Sequence, residues 1–118
     1  MKRLMFCSAV LAVAAWSASA PAQQMTDGTV KIGVLTDMSS LYSDINGPGA
    51  VIAVQMAIED FGGTIGGKKI EMVQADVQNK ADVAATIAGR WFDTEQVDVI
   101  LGAGASSSSI ATSRVAAD

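Results

Sequence analysis

The chain has 118 residues, half of them hydrophobic, and carries twelve acidic against eight basic residues, for a formal net charge of −4. It contains no histidine, and its single cysteine, Cys7, lies in the apolar N-terminal segment. The rest of the chain therefore offers no disulfide, zinc site, thiol nucleophile or histidine general base. Its acidic balance also leaves no basic face for nucleic acid. We expect no cofactor, no resident metal and no enzymatic activity.

The first 22 residues have the pattern of an export signal. Lys2 and Arg3 precede an apolar stretch over residues 4–16, and small residues with two Ala-x-Ala options follow. The apolar stretch of about 13 residues is shorter than the roughly 17–25 residues of a membrane-spanning helix. Cleavage after Ala20 would place Pro21 at the scissile bond, so we predict cleavage after Ala22, with Gln23 as the mature N-terminus. The mature part keeps all twelve acidic but only six basic residues, a net charge near −6, and we expect it in the periplasm.

The first half of the mature part reads as a strand followed by a helix. Residues 30–35 form a β-branched run typical of a strand buried on both faces, and a polar loop is predicted over 36–46. Gly47-Pro48 begins a helix, because proline is tolerated in the first turn, and Gly62-Gly63 ends it. Its apolar residues fall at helical spacing: Ala50, Val54, Ala57, Ile58 and Phe61.

The second half repeats this alternation. A glycine-rich loop over 62–69 leads to a second strand at 70–75, and residues 76–79 lead into a second helix. A third strand is predicted at 97–101, and a third helix begins at Ser106. The apolar stripe of the second helix predicts core positions: Ala84, Ile87, Ala88, Trp91 and Phe92.

The order β-α-β-α-β-α predicts an α/β fold with a doubly wound, Rossmann-like parallel sheet. Three strands are fewer than such folds normally use, and the last predicted helix is uncapped at Asp118. We therefore expect residues 23–118 to be the front of a longer protein, with no domain boundary among them. Ligands bind such sheets at the carboxyl ends of the strands, where the winding reverses. With spatial order 2-1-3, the loops over 36–46 and 102–109 meet there.

Four segments together carry a resemblance to a known family. They are the run VKIGVLTDMSSLY at 30–42, GPGA at 47–50, GGTIGGKKIE at 62–71 and GAGASSSS at 102–109. In this order and spacing the mature stretch resembles the N-terminal lobe of branched-chain amino-acid binding proteins, the periplasmic substrate-binding components of ABC importers.

The resemblance implies a type I periplasmic binding protein, with two Rossmann-like lobes that close on a small ligand and a membrane permease as partner. Such a protein is expected to be a monomer when complete. Ala105 and Ser106, with Ser107 beside them, match the segment that binds the ligand carboxylate. Tyr42 matches an aromatic position that lines the cleft. The resemblance leaves open whether the ligand is an amino acid, an amide, urea or an aromatic acid.

Other interpretations of these residues remain open at this point. The four serines from Ser106 to Ser109 also suit a helix cap, and Tyr42 suits an ordinary loop aromatic. Asp37 and Asp76, at strand ends, suggest either paired acids or a metal site, or more simply groups that satisfy loop amides. Two alternative functions are a ligand-sensing receptor lobe and, less favoured, an exported dinucleotide-binding enzyme. The second rests on the near match to G-x-G-x-x-G at 102–107.

Overall fold

The computed structural model describes residues 28–102 and 104–117. The predicted export signal and its cleavage site between Ala22 and Gln23 lie outside these described residues. Within them, no helix is both long and apolar enough to cross a membrane. The elements in chain order are β1 (Thr29–Thr36), α1 (Ser43–Asn46), α2 (Pro48–Phe61), β2 (Thr64–Ile65), β3 (Lys68–Asp76), α3 (Ala81–Asp93), β4 (Val99–Gly102) and α4 (Ser106–Ala117).

The three long strands form a parallel sheet with β1 at its centre. β3 pairs along the whole of β1, from Thr29 opposite Lys69 to Thr36 opposite Asp76, and β4 pairs on the other side of β1. The short β2 adds an antiparallel strand outside β3, so the spatial order is β2-β3-β1-β4. The predicted α/β class and the predicted 2-1-3 order of the long strands are confirmed. Their carboxyl ends consequently lie along one edge of the sheet.

Helices lie on both faces of this sheet. Gly33 of β1 packs against the ring of Trp91 in α3, whereas its neighbour Ile32 lines a groove with residues of α2. Successive strand residues point to opposite faces, so α3 and α2 lie on opposite sides, and α4 packs along α3. The main core lies on the α3 side and contains the buried residues Leu35, Val77, Ala84, Ala88, Trp91 and Val97.

The opposite face, under α2, is much more open. No residue of α2 is buried, and Phe61 at its end is 63% exposed. Between α2 and the sheet runs an open apolar groove of about 300 Å³. Most of the predicted apolar stripe therefore faces the sheet without being covered. The groove is lined by Ile32, Val54, Ala57, Ile58, Phe61, Ile65, Ile70 and Leu101.

The structure corrects two predicted loops. The last four residues of the loop predicted over 36–46 form α1, a single helical turn. The predicted glycine-rich loop contains β2, which pairs with β3 through a turn at Gly66 and Gly67, where φ is +56° and +79°. Glycine adopts these positive φ values without the Cβ clash of other residues. The third strand also begins later than predicted, at Val99.

Candidate functional site

The carboxyl edge of the sheet carries two loops that α1 connects to each other. The first loop, residues 37–42, follows β1, and the second loop, of which the structure describes Gly104 and Ala105, follows β4. A Cβ built on Gly104 would lie 2.9 Å from Nδ2 of Asn46, the last residue of α1. The side chain of Asn46 thus packs directly against the second loop, and this contact brings together the two predicted ligand segments.

Asp37, the first residue of the first loop, organises the residues after it. It is only 1% exposed, and its Oδ1 accepts a hydrogen bond from the Ser40 amide at 2.9 Å. Its Oδ2 accepts one from the Tyr42 amide at 2.9 Å and one from the Ser40 hydroxyl at 2.7 Å. The carboxylate therefore fixes the path of the chain up to Tyr42.

Asp76, at the end of β3, holds the same loop from the neighbouring strand. Its Oδ1 accepts hydrogen bonds from the amides of Met38 at 2.9 Å and Gln78 at 2.8 Å, and its Oδ2 accepts one from the Ser39 hydroxyl at 2.5 Å. The chain after this loop is held at Asn46, the end of α1, where the Thr36 hydroxyl donates a hydrogen bond to the Asn46 carbonyl oxygen. The stretch from Asp37 to Asn46, which contains the first loop and α1, is therefore attached to the sheet at both of its ends.

Both carboxyl groups remain ionised under ordinary conditions. Burial on its own raises the pKa of Asp37, but hydrogen bonds from Ser40 and Tyr42 outweigh it and hold that pKa below the usual value of 3.8. Burial and the nearby charge of Asp37 raise the pKa of Asp76, and hydrogen bonds from Ser39, Met38 and Gln78 bring it below the same value. Hydrogen bonds to an ionised carboxylate favour the charged form.

These bonds decide between the two interpretations of the paired acids. The acceptor oxygens of Asp37 and Asp76 are engaged by donors of the chain itself, as the simpler interpretation predicted. Among residues 28–102 and 104–117, no group of three or more acidic, cysteine or histidine side chains is placed to hold a metal ion.

The second loop leads directly into α4. The first intrahelical bond of this region runs from the Ser109 amide to the Ala105 carbonyl at 2.9 Å. Because the helix begins at Ser106, the amides of its first turn have no acceptor within the helix. They point toward the carboxyl edge together with the positive end of the helix dipole, an arrangement that favours an anionic group.

The serines at this helix start fall into two kinds. Ser106 and Ser107 are exposed at the edge, and Ala105 is half-buried. Ser108 is fully buried, and neither its hydroxyl nor that of Thr112, one turn later, has a hydrogen-bond partner among the described residues. Ser106 and Ser107 are therefore the serines of this helix start whose side chains are accessible to solvent.

The predicted site residues thus lie at one edge of the sheet. Tyr42 is half-buried at the end of the first loop, and Ala105, Ser106 and Ser107 lie where the second loop enters α4. Sequence reasoning missed Asn46 and Thr36, which join these segments. The turn residues Gly47-Pro48, directly after Asn46, were the sequence signal that the chain changes direction at this point, next to the end of β1.

The glycines of the G-x-G-x-x-G-like segment have a structural explanation. Gly102 has φ of +110°, and a Cβ on it would lie 2.6 Å from the Leu35 carbonyl oxygen of the adjacent strand. Gly104 lies against Asn46. Both glycines permit the close approach of the second loop to β1 and α1, so they do not indicate a phosphate-binding loop.

A parallel α/β lobe with two loops and an open helix start gathered at its carboxyl edge defines the class of small-molecule binding lobes. The family model described as "Periplasmic binding protein" matches residues 29–118. The chain belongs to this family, whose members are transport binding proteins and not enzymes.

Solved structures agree with this assignment. A periplasmic binding protein from Burkholderia mallei is 48% identical, with a TM-score of 0.73 over 76% of this chain and 24% of its own. A branched-chain amino acid ABC transporter periplasmic ligand-binding protein from Burkholderia xenovorans is 55% identical, with a TM-score of 0.60 over 62% of this chain and 20% of its own.

A third structure is an ABC transporter solute-binding protein from Rhodopseudomonas palustris in complex with 3,4-dihydroxybenzoic acid. It is 27% identical, with a TM-score of 0.71 over 76% of this chain and 24% of its own. The chain thus spans about a quarter or less of the length of these solved relatives. A comparison with curated protein sequences finds no match.

Proposed function

We propose that this chain is part of the extracytoplasmic solute-binding component of an ABC importer and captures a small carboxylate ligand. Residues 23–118 form the N-terminal part of the first lobe, and a longer polypeptide supplies the second lobe and the hinge. This proposal is supported by the family match and by solved relatives of which the chain spans about a quarter. The transport partner is the membrane permease of the importer.

The start of α4 is the observation that supports a ligand with a carboxylate group. The amides of Ser106 and Ser107 lack intrahelical acceptors, and their hydroxyls are exposed beside them. In this arrangement the ligand carboxylate accepts hydrogen bonds from the Ser106 hydroxyl and from main-chain amides that follow Ala105. Tyr42, at the end of the first loop, lies on the side of the site that meets the rest of the ligand.

Two chemical classes of ligand fit this half of the site. The relative from Burkholderia xenovorans is a branched-chain amino acid transporter protein, and the relative from Rhodopseudomonas palustris holds 3,4-dihydroxybenzoic acid. Both ligand classes carry a carboxylate, which is the group that the start of α4 recognises. The choice between them belongs to residues that bind an ammonium group or an aromatic ring, and we assign those to the second lobe.

The N-terminal pattern supports an exported, periplasmic protein. We propose that the export signal is removed between Ala22 and Gln23. Intact-mass measurement of material from the periplasm is expected to give a chain that begins at Gln23, and a product that keeps Met1 and stays in the cytoplasm would contradict this localisation.

The test of the site is the removal of one hydroxyl in the full-length protein. Ser106→Ala removes a hydrogen bond to a charged group, which contributes about 1.5–3 kcal/mol. We therefore expect ligand affinity to fall by roughly 10- to 150-fold. Calorimetric titration with leucine, isoleucine, valine and 3,4-dihydroxybenzoate measures it.

Ser113→Ala is the matched control for this substitution. Ser113 is exposed on the same helix, but it lies about two turns after Ser106 and away from the edge. It is expected to leave affinity unchanged. If the two substitutions change ligand affinity equally, or if neither changes it, the start of α4 is not the carboxylate site.

A further inference from the structure

The first loop carries Tyr42, and its shape is set by side chains that do not themselves reach a ligand. We propose that Asp37 is a positioning residue for ligand binding, which holds the first loop and Tyr42 in place at the carboxyl edge. This inference rests on the proposed function, because it assigns Asp37 a role in the same site.

The geometry around Asp37 explains why it acts through the loop. The side chain is 1% exposed, so it does not meet a ligand. It binds the Tyr42 amide directly, and the Tyr42 carbonyl in turn accepts the amides of Ile45 at 3.0 Å and Asn46 at 2.9 Å, which form α1. Asn46 then packs on Gly104 of the second loop. One carboxylate thus connects the end of β1 to both halves of the site.

Asp37 and Asp76 differ in how the hydrogen bonds that they accept are divided between their two carboxylate oxygens. Asp37 accepts a backbone amide on each oxygen, from Ser40 on Oδ1 and from Tyr42 on Oδ2. Asparagine has one acceptor oxygen and one donor NH₂ group. Asp37→Asn therefore sets an NH₂ group against one of the two amide N–H groups, and that bond is lost in either orientation of the side chain.

At Asp76 the same change is expected to keep all three hydrogen bonds. Both backbone amides, from Met38 and Gln78, donate to Oδ1, and only the Ser39 hydroxyl donates to Oδ2. Because a hydroxyl both donates and accepts, the NH₂ group of Asp76→Asn can donate to Ser39 while the remaining oxygen keeps both amides. The two substitutions remove the same charge from neighbouring carboxylates and differ in their effect on the loop.

The experiment compares Asp37→Asn and Asp76→Asn in the full-length protein by amide hydrogen exchange and by calorimetric titration with the four probes named above. Asp37→Asn is expected to speed exchange in peptides over residues 38–42 by at least about tenfold, the effect of one lost hydrogen bond to a charged group. It is expected to weaken binding of the probe that the wild type binds. Asp76→Asn should change both quantities by less than about threefold.

Asp98→Asn is the matched control at the other end of the sheet. Oδ2 of Asp98 accepts the Lys31 amide at 2.7 Å, and a single acceptor bond is one that asparagine can keep. This variant should leave exchange over residues 38–42 and probe affinity unchanged. Peptides over residues 84–91, which lie in α3, serve as the internal reference for global stability in every variant.

Several results would overturn the inference. One is unchanged exchange over 38–42 in Asp37→Asn, and another is equal effects of Asp37→Asn and Asp76→Asn. Faster exchange over 84–91 to the same degree would show that Asp37 supports the fold as a whole. If Asp37→Asn loosens the loop and leaves affinity intact while Ser106→Ala weakens it, the positioning role fails and the proposed site stands. If neither Asp37→Asn nor Ser106→Ala alters affinity, the proposed site fails, and the positioning role for binding fails with it.

Discussion

Gly33 of β1 is a glycine because of what packs on it. A Cβ at this position would lie 2.6 Å from Cε3 of Trp91 and 3.1 Å from Cγ1 of Val97. Trp91 is 2% exposed and belongs to the main core, so its rigid ring has little room to move aside. The contact joins the central strand to α3, and through it the sheet is fixed to its better-covered face.

Gly33→Ala is therefore expected to destabilise the protein, although alanine suits a strand interior better than glycine. Overpacking of a filled core typically costs about 1–3 kcal/mol. Denaturant-induced unfolding of the full-length protein measures this loss. Gly49→Ala in α2 is the control, because a Cβ there meets no atom within 4 Å and alanine favours a helix. Equal stability of the two variants would contradict this account of Gly33.

Residue-scale reasoning from the sequence predicted ligand contacts for Tyr42 and the serines, which stay predictions, and left the roles of the two aspartates open. Asp37 and Asp76 each lie at a strand end, and this position favours a group that satisfies loop amides but leaves paired acids or a metal site open. The difference lies in which donors surround each oxygen. The donors to Asp37 come from Ser40 and Tyr42 of its own loop, and their placement depends on how that loop folds. Two of the donors to Asp76 come from Met38 and Ser39 at the end of the neighbouring strand, and a pattern along the chain does not contain that contact.

Among the elements, the helices show most clearly what periodicity does and does not predict. In α3 the predicted stripe is confirmed, since Ala84, Ala88 and Trp91 are buried and Phe92 packs against the core. In α2 the stripe predicts the face that turns to the sheet but not its burial. Burial depends on what else packs over that face, and the period of one helix carries no information about a neighbour.

The short elements were missed for a related reason. α1 has four residues, too few for a periodic signal, and it is held by Asp37 at its start and by Thr36 at its end. β2 has two residues and exists because it pairs with β3. Both are consequences of tertiary contacts, whereas the long strands and helices already show in the local sequence.

At the scale of the whole molecule, the described residues expose apolar surface in two adjoining places. The first is α2, which lies over the groove without burying any residue of its own. This helix is apolar nearly all round, which is typical of a helix in a buried position. Among residues 28–102 and 104–117, β4 lies at the edge of the sheet and pairs with β1 alone. Its Val99 and Leu101 are 40% and 41% exposed. Leu101 also lines the groove, so the open edge and the open face meet.

Residues 23–118 produced alone are therefore expected neither to unfold cooperatively nor to bind a ligand tightly. A chain of this size buries a modest fraction of its surface, and an unpaired parallel strand edge invites association with other chains. Under the proposed function, residues 23–118 supply half of a cleft, which would leave the ligand carboxylate in water, where a high dielectric weakens its hydrogen bonds. We expect weak near-ultraviolet circular dichroism, a broad thermal transition and concentration-dependent association in sedimentation experiments.

The full-length protein measured in parallel should show a sharp thermal transition, whose midpoint temperature rises when ligand is added. A sharp, concentration-independent transition of residues 23–118, with ligand binding near micromolar affinity, would show that this part is a complete binding unit despite its exposed groove and edge.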